Sequence, residues 1–435
     1  MTTVDTIVLG AGARGRTYAS YALTYPDRLR VVAVAEPRAD VRARFADAHA
    51  IPPERQFAAW EDLLARPQMA RAAIIATPDH LHTAPTLAAL EAGYDVLLEK
   101  PMAPTLAENV RLVQAAERAG RTLQICHVLR YTSLFTKVRE IVQSGRLGQL
   151  ITVEQRENVA FWHMAHSFVR GNWCNAAESS PMILAKCCHD LDVLHWILGR
   201  RAERISSVGS LIHFRAENAP PGAPPRCTDG CPAQDVCPFY APSIYIEQEP
   251  LAREAGVSPW LLREYDGWPR SVVSADVSPA ALRRALETGP YGRCVYHCDN
   301  NVVDHQVVSM AFEDGISVTL IMHGHSHEEG RTMRYDGSRA TLLGAFGHGG
   351  MWVEMHDHRS GDVERYDLRG GGGHGGGDNG LMGAFIDVLN GKADPLTSAR
   401  ASLESHLMAF AAEEARLSAT VVRMDDFRAR AEAAG

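Results

Sequence analysis

Short apolar runs alternate with amphipathic stretches over the first 125 residues of the chain. Short apolar runs bounded by turn residues predict strands, whereas apolar positions three and four apart predict helices. The predicted strands are residues 6–9, 30–35, 72–76, 95–98 and 122–125. The predicted helices are residues 17–25, 39–49, 60–65, 82–92 and 106–119. This alternation predicts a doubly wound parallel sheet with helices on both faces.

The pattern changes after residue 127, where strand-like runs follow one another with turn residues between them. The predicted strands are residues 149–157, 205–214, 302–312, 317–322, 332–335, 340–343 and 351–355. The predicted helices are residues 133–144, 182–198, 381–389 and 399–419. We therefore predict an α/β protein of two domains. Residues 1–127 carry the parallel sheet, and residues 128–435 form an α+β domain with a large, mostly antiparallel sheet, a Cys-rich insertion near 219–242 and closing helices.

A glycine-rich turn joins the first predicted strand to the first helix. Its sequence, Gly10-Ala11-Gly12-Ala13-Arg14-Gly15, has the spacing that lets a helix N-terminus approach a pyrophosphate. The second strand ends at Glu36, 21 residues after Gly15, where a carboxylate can accept hydrogen bonds from the adenosine ribose. The first domain is therefore predicted to be a Rossmann domain that binds NAD in preference to NADP.

Composition narrows the classes of partner that the protein is expected to bind. The 435 residues carry a net charge of −8 without a run of Lys or Arg, so we expect no nucleic-acid or membrane partner. The first residues lack the pattern of a signal or membrane segment, and a cytoplasmic protein is expected. Nine cysteines, two of them adjacent at Cys187-Cys188, favour reduced thiols. A small molecule is the expected partner.

Two motifs follow later strands of the predicted parallel sheet: Ala76-Thr77-Pro78 leading to His82, and Glu99-Lys100-Pro101. Ligands bind at these carboxyl ends of strands in open α/β sheets. With the glycine turn, the motifs resemble the Gfo/Idh/MocA oxidoreductase family, and the likeness continues through Arg130-Tyr131, residues 144–148 and the segment His189-Asp190-Leu191-Asp192. The expected cofactor-binding residues are Gly10, Gly12, Ala13, Arg14, Gly15, Glu36, Thr77, Pro78, His80, His82, Glu99 and Lys100.

The resemblance implies two catalytic residues. Lys100 corresponds to the lysine that lies at the nicotinamide and the reacting hydroxyl, and His189 to the histidine that takes or relays the hydroxyl proton. Many relatives have an aspartate four residues before this histidine, whereas this chain has Ala185. We expect Lys186 to take over part of that role. Lys186, His189 and Asp192 are three residues apart, which places them on one face of the predicted helix.

Further substrate-binding residues are suggested by residue type. Arg and Trp suit carbohydrate hydroxyls and C–H faces, and a glycine-rich segment, residues 370–380, carries a His and an Asp that can close over a ligand. The expected substrate-binding residues are Tyr131, Arg170, Trp173, Lys186, Asp192 and His374. A solvated linker is the alternative for the glycine-rich segment, and interface packing is the alternative for the Trp and Arg positions.

The insertion contains Cys227, Cys231 and Cys237, separated by Gly and Pro turns. Three cysteines within eleven residues indicate a metal knuckle, with free structural thiols as the alternative. Cys294 is the expected fourth ligand, and Cys298 is the other candidate. Structural zinc is the expected metal, because the spacing matches no standard ferredoxin run for an iron–sulfur centre.

Together these features predict an NAD-dependent oxidoreductase that acts on a secondary hydroxyl of a sugar, cyclitol or glycoside. A glycosidase that uses bound NAD for transient oxidation and elimination is one alternative, and a non-catalytic NAD or sugar sensor is another. A homo-oligomer, dimer or tetramer, is expected from the large open sheet. The sequence does not identify the substrate.

Overall fold

The first part of the chain forms a six-stranded parallel sheet in the order β3-β2-β1-β4-β5-β6. The computed structural model describes residues 2–262, 265–347, 350–371 and 373–434. The strands are β1 (Val4–Leu9), β2 (Leu29–Ala35), β3 (Gln56–Phe57), β4 (Ala72–Ile75), β5 (Asp95–Leu98) and β6 (Leu123–Ile125). The helices are α1 (Ala13–Thr24), α2 (Ala39–Ala48), α3 (Trp60–Leu64), α4 (Thr83–Glu91) and α5 (Leu106–Ala119). The strand order reverses between β1 and β4, so their carboxyl ends form the crevice in which such sheets bind ligands.

The second part is built on a nine-stranded sheet in the order β14-β13-β12-β11-β7-β10-β9-β8-β15. Neighbouring strands are antiparallel except for the parallel pair of β10 and β7. The strands are β7 (Leu150–Ala160), β8 (Ala202–Ser210), β9 (His305–Phe312), β10 (Ser317–Ser326), β11 (Gly330–Gly337), β12 (Ala340–Gly347), β13 (Gly350–Asp357), β14 (Val363–Leu368) and β15 (Val422–Arg423). The two sheets confirm the predicted fold class.

Helices of the second part cover one face of the large sheet and link it to the first sheet. They are α6 (Ser133–Gln143), α7 (Phe161–His163), α8 (Met182–Ala185), α9 (Cys188–Leu198), α10 (Glu249–Glu254), α11 (Arg270–Val273), α12 (Pro279–Thr288), α13 (Gly377–Leu389), α14 (Ala399–Ser418) and α15 (Met424–Ala434). The long helix α14 contacts α5, α9 and β8, so one apolar core runs from the parallel sheet to the large sheet. No helix in the described ranges is long and apolar enough to cross a membrane.

The single helix predicted over residues 182–198 is wrong. The chain forms α8 and α9, with a break at Lys186 and Cys187, whose backbone angles (φ −106°, ψ −52° and φ −88°, ψ 3°) depart from a regular helix. The shared face predicted for Lys186 and His189 assumed one continuous helix, so the break removes the basis of that prediction.

Candidate active site

The glycine turn forms a cradle at the end of β1. Gly10 has a positive φ of 92°, and a Cβ there would lie 2.6 Å from the Ala76 carbonyl oxygen. A Cβ at Gly15 would lie 2.0 Å from the Gly10 carbonyl oxygen, so both positions require glycine. At Gly12, in contrast, the nearest atom to an added Cβ is an Arg38 nitrogen at 3.7 Å, which leaves the side of the turn open.

The open side of the turn faces the start of α1. Gly12 is the N-cap residue, and the first bond of the helix runs from the Arg16 amide to the Gly12 carbonyl oxygen (3.0 Å). The amides of residues 13–15 precede that bond, and the first turn of α1 carries no acidic residue. Open space, early helix amides and the absence of negative charge fit the pyrophosphate of a dinucleotide.

Glu36 lies at the end of β2, beside the cradle, but its carboxylate is already bonded. Its Oε2 accepts from the Ala11 amide (3.0 Å), and Oε1 accepts from the Arg38 amide (3.1 Å) and from Arg38 Nε (2.7 Å). Burial raises the pKa of Glu36, but the bonds from Arg38 outweigh it and hold the pKa below its usual value. A ribose hydroxyl must therefore share this carboxylate with Arg38.

The two motif loops at the ends of β4 and β5 are tied together by His82. Its Nδ1 lies 2.8 Å from the Pro101 carbonyl oxygen, and its Nε2 lies 2.9 Å from the Thr77 carbonyl oxygen. His82 is buried and positions the loops, whereas Pro78 and His80 are exposed on the rim. Their contact with cofactor stays a prediction.

Glu99 connects the glycine cradle to the loop after β5, which carries Lys100. Its Oε1 accepts from Arg14 Nε (2.6 Å) and from the Tyr18 hydroxyl (2.8 Å), and its Oε2 accepts from the Lys100 amide (2.5 Å). Burial raises the pKa of Glu99, but the charges of Arg14 and Lys100 bring it below its usual value. The ionised carboxylate thus fixes the backbone from which the Lys100 side chain projects.

Lys100 reaches across to the second part of the chain. Its Nζ donates to the carbonyl oxygen of Ala185, the last residue of α8 (3.0 Å). One of three N–H bonds is used there, so the amine can donate to other groups. Lys100 remains partly exposed.

His189 lies in the first turn of α9, four residues after Ala185, whose carbonyl oxygen binds Lys100 Nζ. The ring is 5% exposed, and its Nδ1 is sealed from solvent without a hydrogen-bond partner in the described part of the chain. Burial, followed by the positive charge of Lys100, lowers the pKa of His189 well below its usual value. The imidazole is therefore neutral near pH 7, and a neutral imidazole can accept a proton.

Two more imidazoles flank His189. Ring centroids of His374 and His127 lie 6.0 Å and 5.8 Å from that of His189. His374 Nδ1 lies 3.2 Å from both oxygens of Asp378, and Asp378 Oδ1 also accepts from Arg14 Nη2 (2.7 Å). The glycine-rich segment that contains His374 therefore folds back onto the cradle. One of its residues, Gly372, lies outside the described residues.

A second charged cluster continues from Lys186. Lys186 Nζ lies 2.8 Å from Glu329 Oε1 and 3.3 Å from Glu157 Oε1, and His163 Nδ1 lies 3.0 Å from Glu329 Oε2. Burial raises the pKa of Glu157 to about 8, although Arg331 and Lys186 oppose the shift. Lys186, Glu329 and His163 keep some exposure and are joined to the Lys100 region through Ala185. Sequence alone did not indicate that Glu329, Glu157 and His163 belong to one cluster.

Four of the predicted substrate-binding side chains are engaged elsewhere. Asp192 is fully buried and forms a two-bond ion pair with Arg130 (2.7 and 2.6 Å). The Tyr131 hydroxyl lies 3.2 Å from Thr397 Oγ1 and accepts from a glutamine amide. Burial raises the pKa of Tyr131 to about 12. These contacts engage both side chains within the protein, so they do not support the expectation that Asp192 and Tyr131 bind substrate.

Trp173 and Arg170 also serve internal contacts. The Trp173 indole N–H donates to Asp79 Oδ2 (2.9 Å), which links the second part of the chain to the loop after β4. The Arg170 guanidinium is buried and donates to the carbonyl oxygens of Arg293 (2.7 Å) and Phe239 (2.6 Å). These bonds direct neither side chain at Lys100, so they do not support the expectation that Trp173 and Arg170 bind substrate.

The cysteines of the insertion do not form a site for a single ion. No group of three or more His, Cys, Asp or Glu side chains in the described ranges is arranged to hold one metal ion. All nine cysteines are free thiols. The structural zinc predicted for Cys227, Cys231, Cys237 and Cys294 thus finds no support in this geometry.

Family comparison covers nearly the whole chain. Residues 4–127 match the oxidoreductase family model with an NAD-binding Rossmann fold, and residues 139–424 match its C-terminal alpha/beta domain. A Bacillus subtilis (strain 168) protein named as oxidoreductase YteT is 23% identical over 349 residues, which span 74% of this chain and 72% of that protein.

Two further similarities extend the comparison. An inositol 2-dehydrogenase of Leifsonia xyli is 30% identical over 229 residues, which span 51% of this chain and 61% of that enzyme. The crystal structure of an Agrobacterium radiobacter oxidoreductase in complex with NAD+, L-tartaric acid and magnesium has a TM-score of 0.69 at 13% identity, covering 98% of this chain and 99% of that one. At that identity the likeness shows the fold. Because both halves match its models, the chain belongs to the Gfo/Idh/MocA family of oxidoreductases, with an NAD-binding Rossmann domain.

Proposed function

We propose that the protein oxidises a secondary hydroxyl group of a sugar, cyclitol or glycoside with NAD as the hydride acceptor. The observation that carries the proposal is that Lys100 Nζ binds the Ala185 carbonyl oxygen, four residues before His189, and that its charge acts on the buried His189 ring in a chain with an NAD-binding Rossmann domain. Similarity to an inositol 2-dehydrogenase supports a polyhydroxylated substrate. The chain matches about three fifths of that enzyme's length, so the substrate class belongs to the proposal.

When bound, NAD would accept a hydride from the carbinol carbon of the substrate. Gly10, Gly12 and Gly15 would hold its pyrophosphate against the start of α1, with Glu36 and Arg38 at the adenosine end. The residues fit this group because Gly12 leaves the turn open and the first turn of α1 carries no negative charge.

Lys100 positions and polarises the reacting hydroxyl. Its amine is fixed by the bond to the Ala185 carbonyl oxygen, and its backbone is fixed by Glu99. An ammonium group held in this way can donate to the alcohol oxygen and stabilise negative charge on it as the O–H proton leaves. Holding the group in advance lowers the entropic cost of reaching that arrangement.

His189 accepts the hydroxyl proton. Its imidazole is neutral because burial and the nearby ammonium disfavour a second positive charge. General bases contribute roughly 10²- to 10⁴-fold to rate and are most effective when their pKa lies near the working pH, so the lowered pKa of His189 places its contribution at the lower end of that range. Lys100 and His189 thus divide the work: one stabilises the developing alkoxide, and the other removes the proton.

The cluster of Lys186, Glu329 and His163 would bind the remaining substrate hydroxyls. Together these groups offer both donors and carboxylate acceptors. The half-buried Trp268 ring, whose centroid is 4.7 Å from that of His163, adds an aromatic surface for the C–H face of a sugar ring.

One observation favours a second function, transient oxidation followed by elimination. The His374–Asp378 pair stands next to His189 and gives the site a further base beyond the Lys100–His189 couple. Such a base could remove the acidified C–H beside a transient ketone as a neighbouring substituent leaves with a proton; water would then add to the resulting double bond, and return of the hydride to the carbonyl carbon would complete a net hydrolysis. Net NADH then does not accumulate.

A product analysis on the full chain separates the two functions. The protein is incubated with NAD and a panel of inositols, free sugars and aryl glycosides, and both absorbance at 340 nm and release of the aryl group are followed. NADH formed in proportion to a keto product supports dehydrogenation, and aryl release without NADH supports elimination. If the protein binds NAD tightly but gives neither NADH nor aryl release, both enzymatic proposals are overturned. The non-catalytic NAD or sugar sensor then remains. Self-association through the large sheet stays a prediction.

A further inference from the structure

A proton that His189 accepts from substrate needs a way out of the site. The ring is 5% exposed, and its Nδ1 is sealed from solvent without a hydrogen-bond partner in the part of the chain that the structure describes. Burial and the charge of Lys100 disfavour the protonated ring. In each turnover the proton must therefore leave His189 before the next substrate hydroxyl can be deprotonated.

One of the two imidazoles that flank His189 leads only into the core. The His127 ring is fully buried, and neither of its nitrogens has a hydrogen-bond partner among the described residues. The Asp192 carboxylate, 3.7 Å from His127 Nε2, is already paired with Arg130. The next ring, His406, has its centroid 5.5 Å from that of His127 and is also fully buried. A proton passed in this direction would reach no water.

The other imidazole, His374, links His189 to solvent and to a carboxylate. Its ring centroid is 6.0 Å from that of His189, and its side chain is 36% exposed, whereas that of His127 is 0% exposed. His374 Nδ1 lies 3.2 Å from both oxygens of Asp378, and Arg14 Nη2 donates to Asp378 Oδ1 (2.7 Å). A carboxylate held in this way stabilises the imidazolium that forms when the ring takes a proton.

The backbone of His374 is held in a conformation that a side chain disfavours. All other residues from 370 to 377 are glycine, so His374 is the one residue of this stretch with a Cβ. Its φ of 48° and ψ of 43° lie in the left-handed region, which glycine adopts without steric cost. Strained residues of this kind concentrate at functional sites. The strain therefore favours a role for the imidazole itself.

The segment that carries His374 is packed against the rest of the fold. A Cβ at Gly377 would meet the Val128 carbonyl oxygen, and a Cβ at Gly380 would lie 3.0 Å from the Tyr131 carbonyl oxygen. Contacts this close leave no space for a water layer between the segment and the core. They favour a fixed position for the imidazole over a solvated linker, which was the alternative from sequence.

The charges around His374 suit a group that takes up a proton and releases it again. Burial lowers the pKa of His374, the bond to Asp378 raises it, and the charge of Arg14 lowers it. The pKa lies below its usual value as a result, so the ring is neutral near pH 7 and free to accept a proton. The same low pKa favours transfer of that proton to water.

We propose that the His374–Asp378 pair carries the hydroxyl proton from His189 to solvent, an inference that rests on the oxidation proposed above. The O–H bond of the alcohol breaks and its proton goes to the His189 imidazole, as the hydride leaves the carbinol carbon for NAD. The His189 imidazolium then gives a proton to the neutral His374 ring, directly or through one bridging water, and becomes neutral again.

The relay ends at the exposed side of His374. The His374 imidazolium gives its proton to bulk water, and Asp378 stays ionised throughout. One proton therefore appears in solvent for each NADH formed, and no further oxidant or reductant is consumed. In this role the pair acts on His189, whereas in the elimination described above it would act on a substrate C–H bond.

The test compares His374→Gly with the wild type on the inositol or free sugar of the panel that forms NADH fastest. Glycine suits the backbone angles at this position, so the variant removes the imidazole without adding strain. In dilute buffer kcat should fall by about 10²-fold with KM unchanged, the lower end of the range for groups that transfer protons. Added free imidazole should restore much of kcat in His374→Gly and leave the wild type unchanged, because a small base can carry the proton in place of the side chain.

Two further variants and two binding and stability measurements control the comparison. Asp378→Asn keeps the His374 ring, so its kcat should fall without rescue by imidazole. His358→Ala removes an exposed histidine after β13 and should match the wild type. The melting temperature and the affinity for NAD by calorimetry should be unchanged in His374→Gly. If that variant fails to bind NAD, His374→Ala replaces it in the same comparison.

The outcomes separate the relay from the oxidation on which it rests. Equal kcat for wild type and His374→Gly in dilute buffer would overturn the relay, and so would a loss of kcat that imidazole does not restore. Either result leaves the oxidation standing, because the wild type forms NADH in both cases. Absence of NADH from the wild type with every member of the panel would overturn the oxidation itself, and the relay with it.

Discussion

Replacing Asp192 with alanine separates a structural role from the substrate-binding role that sequence suggested. The Asp192 carboxylate is 1% exposed and accepts two bonds from Arg130, which is 4% exposed. The variant leaves a buried guanidinium without its counter-ion, which costs about 3–5 kcal/mol. In a domain of about 150–250 residues that loss lowers the melting temperature by about 6–20 °C, and in this larger chain the fall should lie toward the lower end of that range.

The effect should depend on pH in a defined direction. Burial raises the pKa of Asp192, but Arg130 and His127 outweigh it and hold the pKa below its usual value. A carboxyl group with a depressed pKa in the folded state stabilises the fold above its unfolded pKa, near 3.9, and loses that contribution as pH falls through the folded value. The gap between variant and wild type should therefore persist from about pH 5 to 8 and narrow below about pH 4.

The assay is denaturant unfolding followed by circular dichroism, with KM measured on the same samples. Asp387→Ala is the matched control, because it removes a carboxylate from a part-exposed pair with Arg28 (2.7 Å) and should cost less than about 1 kcal/mol. If Asp192→Ala were as stable as the control but raised KM tenfold or more, Asp192 would be a substrate ligand and the reasoning would fail.

Three further outcomes follow from the charged groups of the site. His189→Asn should lower kcat by about 10²-fold, the lower end of the range for a general base because the pKa of His189 is low, with NAD affinity by calorimetry unchanged. A change in KM without a change in kcat would reassign His189 to substrate binding. The pKa of His189 lies well below its usual value, so titration of His189 should cause no inflection in kcat/KM of the wild type between pH 6 and 8. A fall in kcat/KM on the acid side near pH 6.5 that disappears in His189→Asn would contradict this prediction. Lys186→Met removes the cation that Glu157 and Glu329 share. The unfolding midpoint should fall more at pH 8 than at pH 6, because protonation of Glu157 at pH 6 relieves the repulsion between the two carboxylates. An equal fall at both pH values would argue against this coupling of Lys186 with the two carboxylates.

Local sequence patterns were sufficient to predict the glycine turn at the end of β1. Glycine is required at positions 10 and 15, because a Cβ there would meet the carbonyl oxygen of Ala76 or of Gly10. The spacing of the two glycines is therefore enough to predict the turn. The same holds for Lys100, whose position after a buried strand sets it at the edge of the sheet. The alternation of strands and helices likewise led to the correct fold class.

Local sequence patterns could not predict which charged residues pair across long stretches of the chain. Asp192 is bonded to Arg130, which is 62 residues away, and Asp378 is bonded to Arg14, which is 364 residues away. No periodicity within one helix reports such partners. The helical spacing of Lys186 and His189 was misleading for the same reason: the bonds of Lys186 to Glu329 and Glu157 favour a break at that residue.

The cysteine insertion illustrates a third limit. The short spacing of Cys227, Cys231 and Cys237 indicated a metal knuckle, but whether thiols can hold a metal ion depends on where they lie in the fold, and these are not arranged to hold one. Arg170 was assigned to substrate because Arg suits hydroxyl groups, whereas in the fold its guanidinium lies beside Cys227 Sγ. In both cases residue type suggested a role that the contacts in the fold do not support.

The central claim is that Lys100 acts on the alcohol while its hydride passes to NAD, and single-turnover kinetics test it most directly. Protein loaded with NAD is mixed with the best substrate of the panel, and reduction is followed at 340 nm for wild type, Lys100→Met and the exposed control Lys392→Met. We predict that reduction slows by about 10²- to 10⁴-fold in Lys100→Met and is unchanged in Lys392→Met. Equal rates of reduction in all three proteins would contradict the claim.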